Sequence, residues 1–146
     1  MVEAKSNTHP LKATPRMDAN LSLWTLFTSS FLAATLLPGG SEIVLYGVLS
    51  LHPEHKWTAI GIATLGNTLG GLTSYAIGRI VPRSKPLKAL DTLRRYGPPA
   101  LLLSWVPFIG DPLCVAAGWL RFNVVATTLF MAAGKFARYV AISILA

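Results

Sequence analysis

The stretch LSLWTLFTSSFLAATLLPGGSEIVLYGVLSL, residues 21–51, decides the fold. It holds no charged residue from 21 to 41, and none again from 43 to 51. The run 21–37 meets Pro38-Gly39-Gly40, and a run of only nine residues, 43–51, follows Glu42. A helix of eight or nine residues reaches about 12–14 Å, against a hydrocarbon core of about 30 Å. Two pieces joined at such a break make a re-entrant hairpin, which enters and leaves a membrane on one side. Its tip must then be buried in protein or face a wet cavity. The first piece is long enough to span on its own, and that second reading stands beside the first.

Composition agrees with a membrane. The chain has 146 residues, 52% hydrophobic and only 13% charged, about half the charge of a soluble domain. Residues 57–78 and 122–134 carry no charge, and 96–120 carry one, Asp111. Runs of about 18 or more apolar residues are candidate spans. The net charge is +7, and the positives gather at Arg79, Arg83, Lys85, Lys88, Arg94 and Arg95. Basic residues beside a span mark the cytoplasmic side and meet anionic headgroups. No stacking platform accompanies them, so nucleic acid is not expected as a partner. Cys114 is the single cysteine; it excludes an internal disulfide and reads as a small buried residue.

The second half repeats the plan. Residues 101–109 are short and contain Pro107; after Gly110-Asp111-Pro112 the apolar run resumes at 113–120. Pro38 precedes Glu42 by four residues and Pro107 precedes Asp111 by four. Each broken hairpin is followed by a full span, so the second unit would enter inverted, a recurring plan among transporters. The clearest span is 57–78, where Gly66, Gly70, Ser74 and Gly78 lie along one helical face and admit a close neighbour. Helix packing suffices for the glycines. Asn67 is different, because a carboxamide in lipid needs a partner. Residues 79–97 form a basic link, with Leu87, Leu90 and Leu93 suited to a short helix on the membrane surface.

The expected organisation is an all-α integral membrane protein of two inverted re-entrant hairpins packed with transmembrane helices. A polar, disordered tail occupies 1–20, and the membrane domain 21–146. Within it lie a hairpin at 21–51, a span at 57–78, the link at 79–97, a hairpin at 98–120 and a span at 123–146. The hairpin tips are Pro38, Gly39 and Gly40, then Pro107, Gly110 and Pro112.

Four ionisable residues fall in the apolar regions: Glu42, Asp111, Lys135 and Arg138. Each costs about 2.5–3.5 kcal/mol at a helix centre, so four unpaired would cost roughly 10–14 kcal/mol. Two acids and two bases sum to zero, and pairing offsets much of that cost. Lys135 and Arg138, three apart, share a helical face and can both point at the tips. These four are the candidate substrate and proton site. The competing assignments are a purely structural ion pair, snorkelling by Lys135, and tip acids that cap the half-helices beyond each break.

Nothing else carries catalysis. His52 and His55 flank Glu54, but Pro53 and the lack of further ligands argue against a metal. The serines have no nucleophile-elbow pattern, and the glycines near 66–71 form no phosphate loop. No enzyme activity, metal or cofactor is expected.

The stretches LLPGGSEIVL and ATLGNTLGGLTSYAIGR resemble the first half of a protein of the DedA family (the VTT, or SNARE-associated-type, membrane domain). The stretches RYGPPALLLSWVPFIGDPLCVAAGW and MAAGKFARYV are similar to its YqaA-like branch. The resemblance implies the two-hairpin fold and movement of lipids, phospholipid or polyprenyl phosphate, between leaflets. Glu42 takes the place of the first-hairpin acid, and Arg79 ends the Gly-Arg signature. The second hairpin departs from the family's G-R-x-x-P-x-x-R-T pattern: Pro107 is kept, with Leu103-Ser104 for Gly-Arg and Gly110-Asp111 for Arg-Thr. Lys135 and Arg138 can supply the missing positive charge from another element.

The leading expectation is therefore a multi-pass lipid or lipid-phosphate translocase of the bacterial inner membrane, flippase- or scramblase-like, with or without proton coupling. Its partners would be membrane lipids and protons, and a homo-oligomer is compatible with this reading. The alternatives are a proton- or cation-coupled small-solute transporter and a non-transporting assembly or quality-control protein. The positive-inside rule puts 79–95 in the cytoplasm. The N-terminus is then periplasmic if 21–37 re-enters, cytoplasmic if it spans.

Overall fold

The computed structural model describes residues 18–35, 40–82 and 89–145. Residues 1–17 of the tail, Pro38 and Gly39 at the first break, and Arg83, Lys85, Leu87 and Lys88 in the basic link lie outside those residues; Ala19 and Asn20, expected in the disordered tail, instead begin the first helix. Six α-helices and two short 3₁₀ helices make up the described secondary structure, with no strand among these residues.

Proline and glycine set the boundaries. Helix α1, Ala19–Thr35, and α2, Gly40–Leu51, lie on either side of the first break. The 3₁₀ turn Pro53–His55 leads into α3, Lys56–Ile80. That helix ends where Val81 takes an extended conformation ahead of Pro82, as a residue before proline prefers. Helix α4, Ala89–Tyr96, stops at Gly97, whose N–H donates to the Leu93 carbonyl at 2.8 Å and whose φ of +68° turns the chain out of the helix, a conformation open to glycine.

The second hairpin differs from expectation in its first arm. Residues 98–105 form a 3₁₀ helix, Pro98–Trp105, rather than an α-helical half. Pro98 and Pro99 lack the N–H groups that would continue α-helical bonding, and Pro107 ends the arm after an extended Val106. Helix α5, Gly110–Trp119, follows. It closes in a double-bonded turn, with Phe122 N–H donating to the Ala117 carbonyl at 3.1 Å and Arg121 N–H to that of Gly118 at 3.0 Å. Arg121 takes the left-handed φ of 57° that this motif requires. Asn123 then caps α6, Val124–Leu145, its side-chain oxygen accepting from the N–H groups of Val125 and Ala126.

Helix α3 is the centre of the packing, touching α1, α2, α5 and α6. The small-residue face works as a close-approach surface, but against two helices rather than one. A Cβ at Gly66 would lie 2.7 Å from the Phe27 carbonyl oxygen of α1, and one at Gly70 would lie 2.5 Å from Ala34 Cβ. Ser74 Oγ donates to the Ala34 carbonyl at 3.4 Å. Gly78 instead meets α5 at Val115, while Gly118 of α5 meets the Tyr75 backbone of α3 in return. Helix α6 runs antiparallel to α3: Lys56 Nζ donates to the Ser143 carbonyl near one end, and the Tyr75 hydroxyl to the Phe122 carbonyl near the other.

Ser22 of α1 and Leu51 of α2 line one groove, and Leu49, Lys56 and Ser143 line the next. Ala100 at the start of the 3₁₀ arm and Trp119 at the end of α5 pack together with Tyr75 and with Leu90 and Leu93 of α4.

The fold is apolar outside and small inside. Leu65, Leu69, Ile77, Leu129, Phe136 and Ile144 are exposed, while Ala33, Ala34, Ala59, Ala63, Ala116 and Ala117 are buried. Exposed Thr25, Thr73 and Thr128 turn their hydroxyls back to carbonyls four residues earlier, which satisfies them where water is absent. Among the described residues one helix, Val124–Leu145, is both long and apolar enough to cross a membrane. The sequence made 57–78 the clearest span. Helix α3 has the length, but its glycines, threonines and Asn67 leave it short of the hydropathy.

Candidate functional site

The middles of α3 and α6 face each other at Asn67 and Lys135. On α6, Lys135, Arg138 and Tyr139 lie at spacings of three and four, hence on one face. Each meets a partner from a different element. Arg138 Nη2 is ion-paired and hydrogen-bonded with Glu42 Oε1 in the first turn of α2. Lys135 Nζ lies 3.8 Å from Asp111 Oδ1 in the first turn of α5 and donates to Asn67 Oδ1. The Asn67 amide donates to the Tyr139 hydroxyl at 2.6 Å, and that hydroxyl donates to Ser41 Oγ at 3.0 Å. A continuous polar chain therefore joins the start of α2 to the start of α5 through the two long helices.

All four ionisable residues singled out in the sequence thus come together in two pairs. Lys135, Asn67, Ser41 and Tyr139 are buried, whereas the side chains of Glu42 and Asp111 are each 35% exposed. The cations sit inside and the acids reach outward. Both carboxylates stand in the first turn of a helix, Glu42 in α2 and Asp111 in α5. Asp111 is not the cap of α5: Ile109 holds that position without a side-chain hydrogen bond.

A cleft lies between the pairs, with Ser104, Phe108 and Gly110 of the second hairpin on one side and Ala33, Ala34 and Ser41 on the other. Space for the centre of a water molecule amounts to about 10 Å³, room for about one water. The cleft is narrow.

Sequence reasoning placed Asn67 on the packing face and required a partner for its carboxamide without naming one, and it gave no role to Tyr139 or Ser104. The structure puts Asn67 inside the charged cluster and Ser104 on the cleft wall. Tyr139 was within reach of the reasoning that found Lys135 and Arg138, since it lies four residues after the lysine.

The other marked residues lie apart. Arg79 and Tyr75 stack at 5.8 Å, and Arg94 and Arg95 are exposed on α4. Glu54 contacts His52 at 3.3 Å and His55 at 3.9 Å. A backbone hydrogen bond, with the histidines beside it, holds the Glu54 carboxyl below its ordinary pKa. Among the described residues no group of three such side chains is placed to hold a metal. Cys114 is buried, its thiol donating to the Gly110 carbonyl at 3.2 Å.

An all-helical fold with an apolar exterior, a small-residue interior and its charges paired inside is that of a membrane protein. The comparisons agree. Over 131 residues the chain is 48% identical to the inner membrane protein YqaA of Escherichia coli (strain K12), covering 87% of this chain and 92% of that one. The match to YqaA of Shigella flexneri has the same figures. A protein of Haemophilus influenzae is 47% identical over 133 residues, 83% of this chain and 85% of its own. The chain belongs to the YqaA family of bacterial inner membrane proteins. No family model matches it, and no solved structure does.

Proposed function

We propose that this protein is a lipid or lipid-phosphate translocase of the inner membrane. In this reading the two helical hairpins are re-entrant and inverted, as the DedA resemblance implies, and the charged cleft between their tips shelters a headgroup while the tails stay in lipid. One observation carries it: each hairpin delivers an acid, Glu42 or Asp111, to a cation at the middle of α6. Intramembrane charges are costly and mark pathways for substrates, ions or protons.

The departure from the wider family's second-hairpin pattern fits this reading. Ser104 and Asp111 stand where that pattern has an arginine and a threonine. Both line the same cleft as Lys135 and Arg138. Positive charge for a phosphate therefore comes from α6. An anion entering the cleft must replace Glu42 or Asp111 as partner of a cation, and a displaced carboxylate in low dielectric favours taking up a proton. Anion movement would then be linked to protons.

The rival with a specific observation behind it is a proton- or cation-coupled carrier of a small solute, since space for about one water suits a small polar cargo better than a headgroup. Proteoliposomes separate the two. A translocase moves labelled phospholipid or polyprenyl phosphate across the bilayer and discriminates among headgroups. A solute carrier dissipates an imposed proton gradient with its cargo and leaves the lipids where they were.

A further inference from the structure

Two non-glycine residues take a positive φ among the described residues, and one of them lies on the charged cleft. Arg121 is accounted for by the turn that ends α5. Phe108, with φ of 68°, is not. For a bulky residue this region is an outlier that persists only where the surroundings impose it. They do so here. Val106 is extended before Pro107, and the Gly110 N–H donates to the Val106 carbonyl at 3.2 Å, closing a tight turn around Phe108. The turn is pinned at its far side, since a Cβ at Gly110 would stand 2.6 Å from the Ser104 carbonyl oxygen.

Glycine at position 108 would take that backbone conformation freely. The backbone therefore gives no reason for phenylalanine, and the reason must lie in the ring. Phe108 lines the cleft with Asp111 and Arg138, yet 74% of it is exposed. A residue so placed sits at the edge of the cleft, and the pinned turn leaves rotation of the side chain as the means of moving its ring.

We propose that the Phe108 ring is the gate of the charged cleft, standing at its mouth and turning aside to admit a charged group whose size it limits. The proposal rests on the reading of the cleft as a transport site, but its test measures access and not transport. Full-length protein in detergent, in a Cys114→Ala background, is given a reporter thiol in the cleft by Ser104→Cys or, separately, by Ala33→Cys. Alkylation by iodoacetamide is timed with Phe108 intact and in Phe108→Ala, Phe108→Gly and Phe108→Trp. The expected result is at least a tenfold acceleration at both reporters with Ala and Gly, and none with Trp. A Leu129→Cys reporter on the exposed side of α6 keeps its rate. Equal rates with Phe108 intact and with Phe108→Ala overturn the proposal. Acceleration by Phe108→Gly alone also overturns it, because release of the backbone is then the cause. So does equal acceleration at Leu129→Cys, which reports a loosened fold. If lipid movement fails while access responds as stated, the translocase reading falls and the gate stands.

Discussion

The Asn67 amide of α3 donates to the Tyr139 hydroxyl of α6 at 2.6 Å, and the same asparagine accepts from Lys135. Two long antiparallel helices are thereby tied at their midpoints by a carboxamide that uses both of its ends. Tyr139 is fully buried, and its hydroxyl passes the connection on to Ser41.

Removing that hydroxyl leaves the buried Asn67 and Ser41 each short of a partner. Tyr139→Phe should therefore lower stability by about 1–3 kcal/mol, read as a fall in the thermal midpoint in detergent. Asn67→Ala should cost at least as much, because it strips an acceptor from a buried ammonium. An unchanged midpoint in both would show that the chain is not a structural tie.

The Glu42–Arg138 pair gives a sharper test, because breaking a partly buried pair leaves an uncompensated charge. Arg138→Ala and Glu42→Gln should each destabilise, by about 1–3 kcal/mol, Glu42→Gln by leaving the more buried partner, Arg138, without its counter-charge. The double variant should cost less than the sum of the two, as a double-mutant cycle in the thermal midpoint would show. Strict additivity would mean that the two residues do not interact.

Glycine substitutions test the packing. A Cβ at Gly118 or Gly78 would run into the backbone of Tyr75 or Val115. Gly118→Ala and Gly78→Ala are expected to destabilise by more than about 1 kcal/mol, the range for overpacking. Gly47 and Gly61 have nothing within 4 Å of such a Cβ. Their replacement by alanine should be neutral or should raise stability by up to about 1 kcal/mol, through helix propensity. Thermal midpoints of the four variants check the contrast, and equal losses in all four would refute the assignment of α3 as the close-packed centre.

How much of this was legible in the sequence varied with the kind of signal. Breaks at Pro38-Gly39-Gly40 and Pro107 are covalent constraints, so the separation of α1 from α2 and the late start of α5 could be read directly. The charge balance of Glu42, Asp111, Lys135 and Arg138 followed from the cost of leaving them unpaired. Which acid meets which base did not follow, because it depends on how the hairpins seat against α6. The 3₁₀ form of residues 98–105 was missed because hydrophobicity alone does not separate it from an α-helix. That Asn67 needs a partner could be read from its carboxamide among Gly66, Gly70 and Ser74; that the partners are Lys135 and Tyr139 could not, because it depends on how α6 seats against α3. Tyr139 was hidden by its own apolar ring, and Phe108 by a backbone angle that no residue type announces.

The central claim is that the charged cleft moves lipid across the bilayer. It is met most directly by measuring the inward movement of labelled phospholipid and polyprenyl phosphate in proteoliposomes. Wild type would be compared with Glu42→Gln, Asp111→Asn and Arg138→Ala, each confirmed to insert and to remain folded. The account predicts lipid movement by the wild type above empty vesicles, lost or reduced at least tenfold in all three variants. Movement no faster than in empty vesicles, with or without a proton gradient, would contradict it.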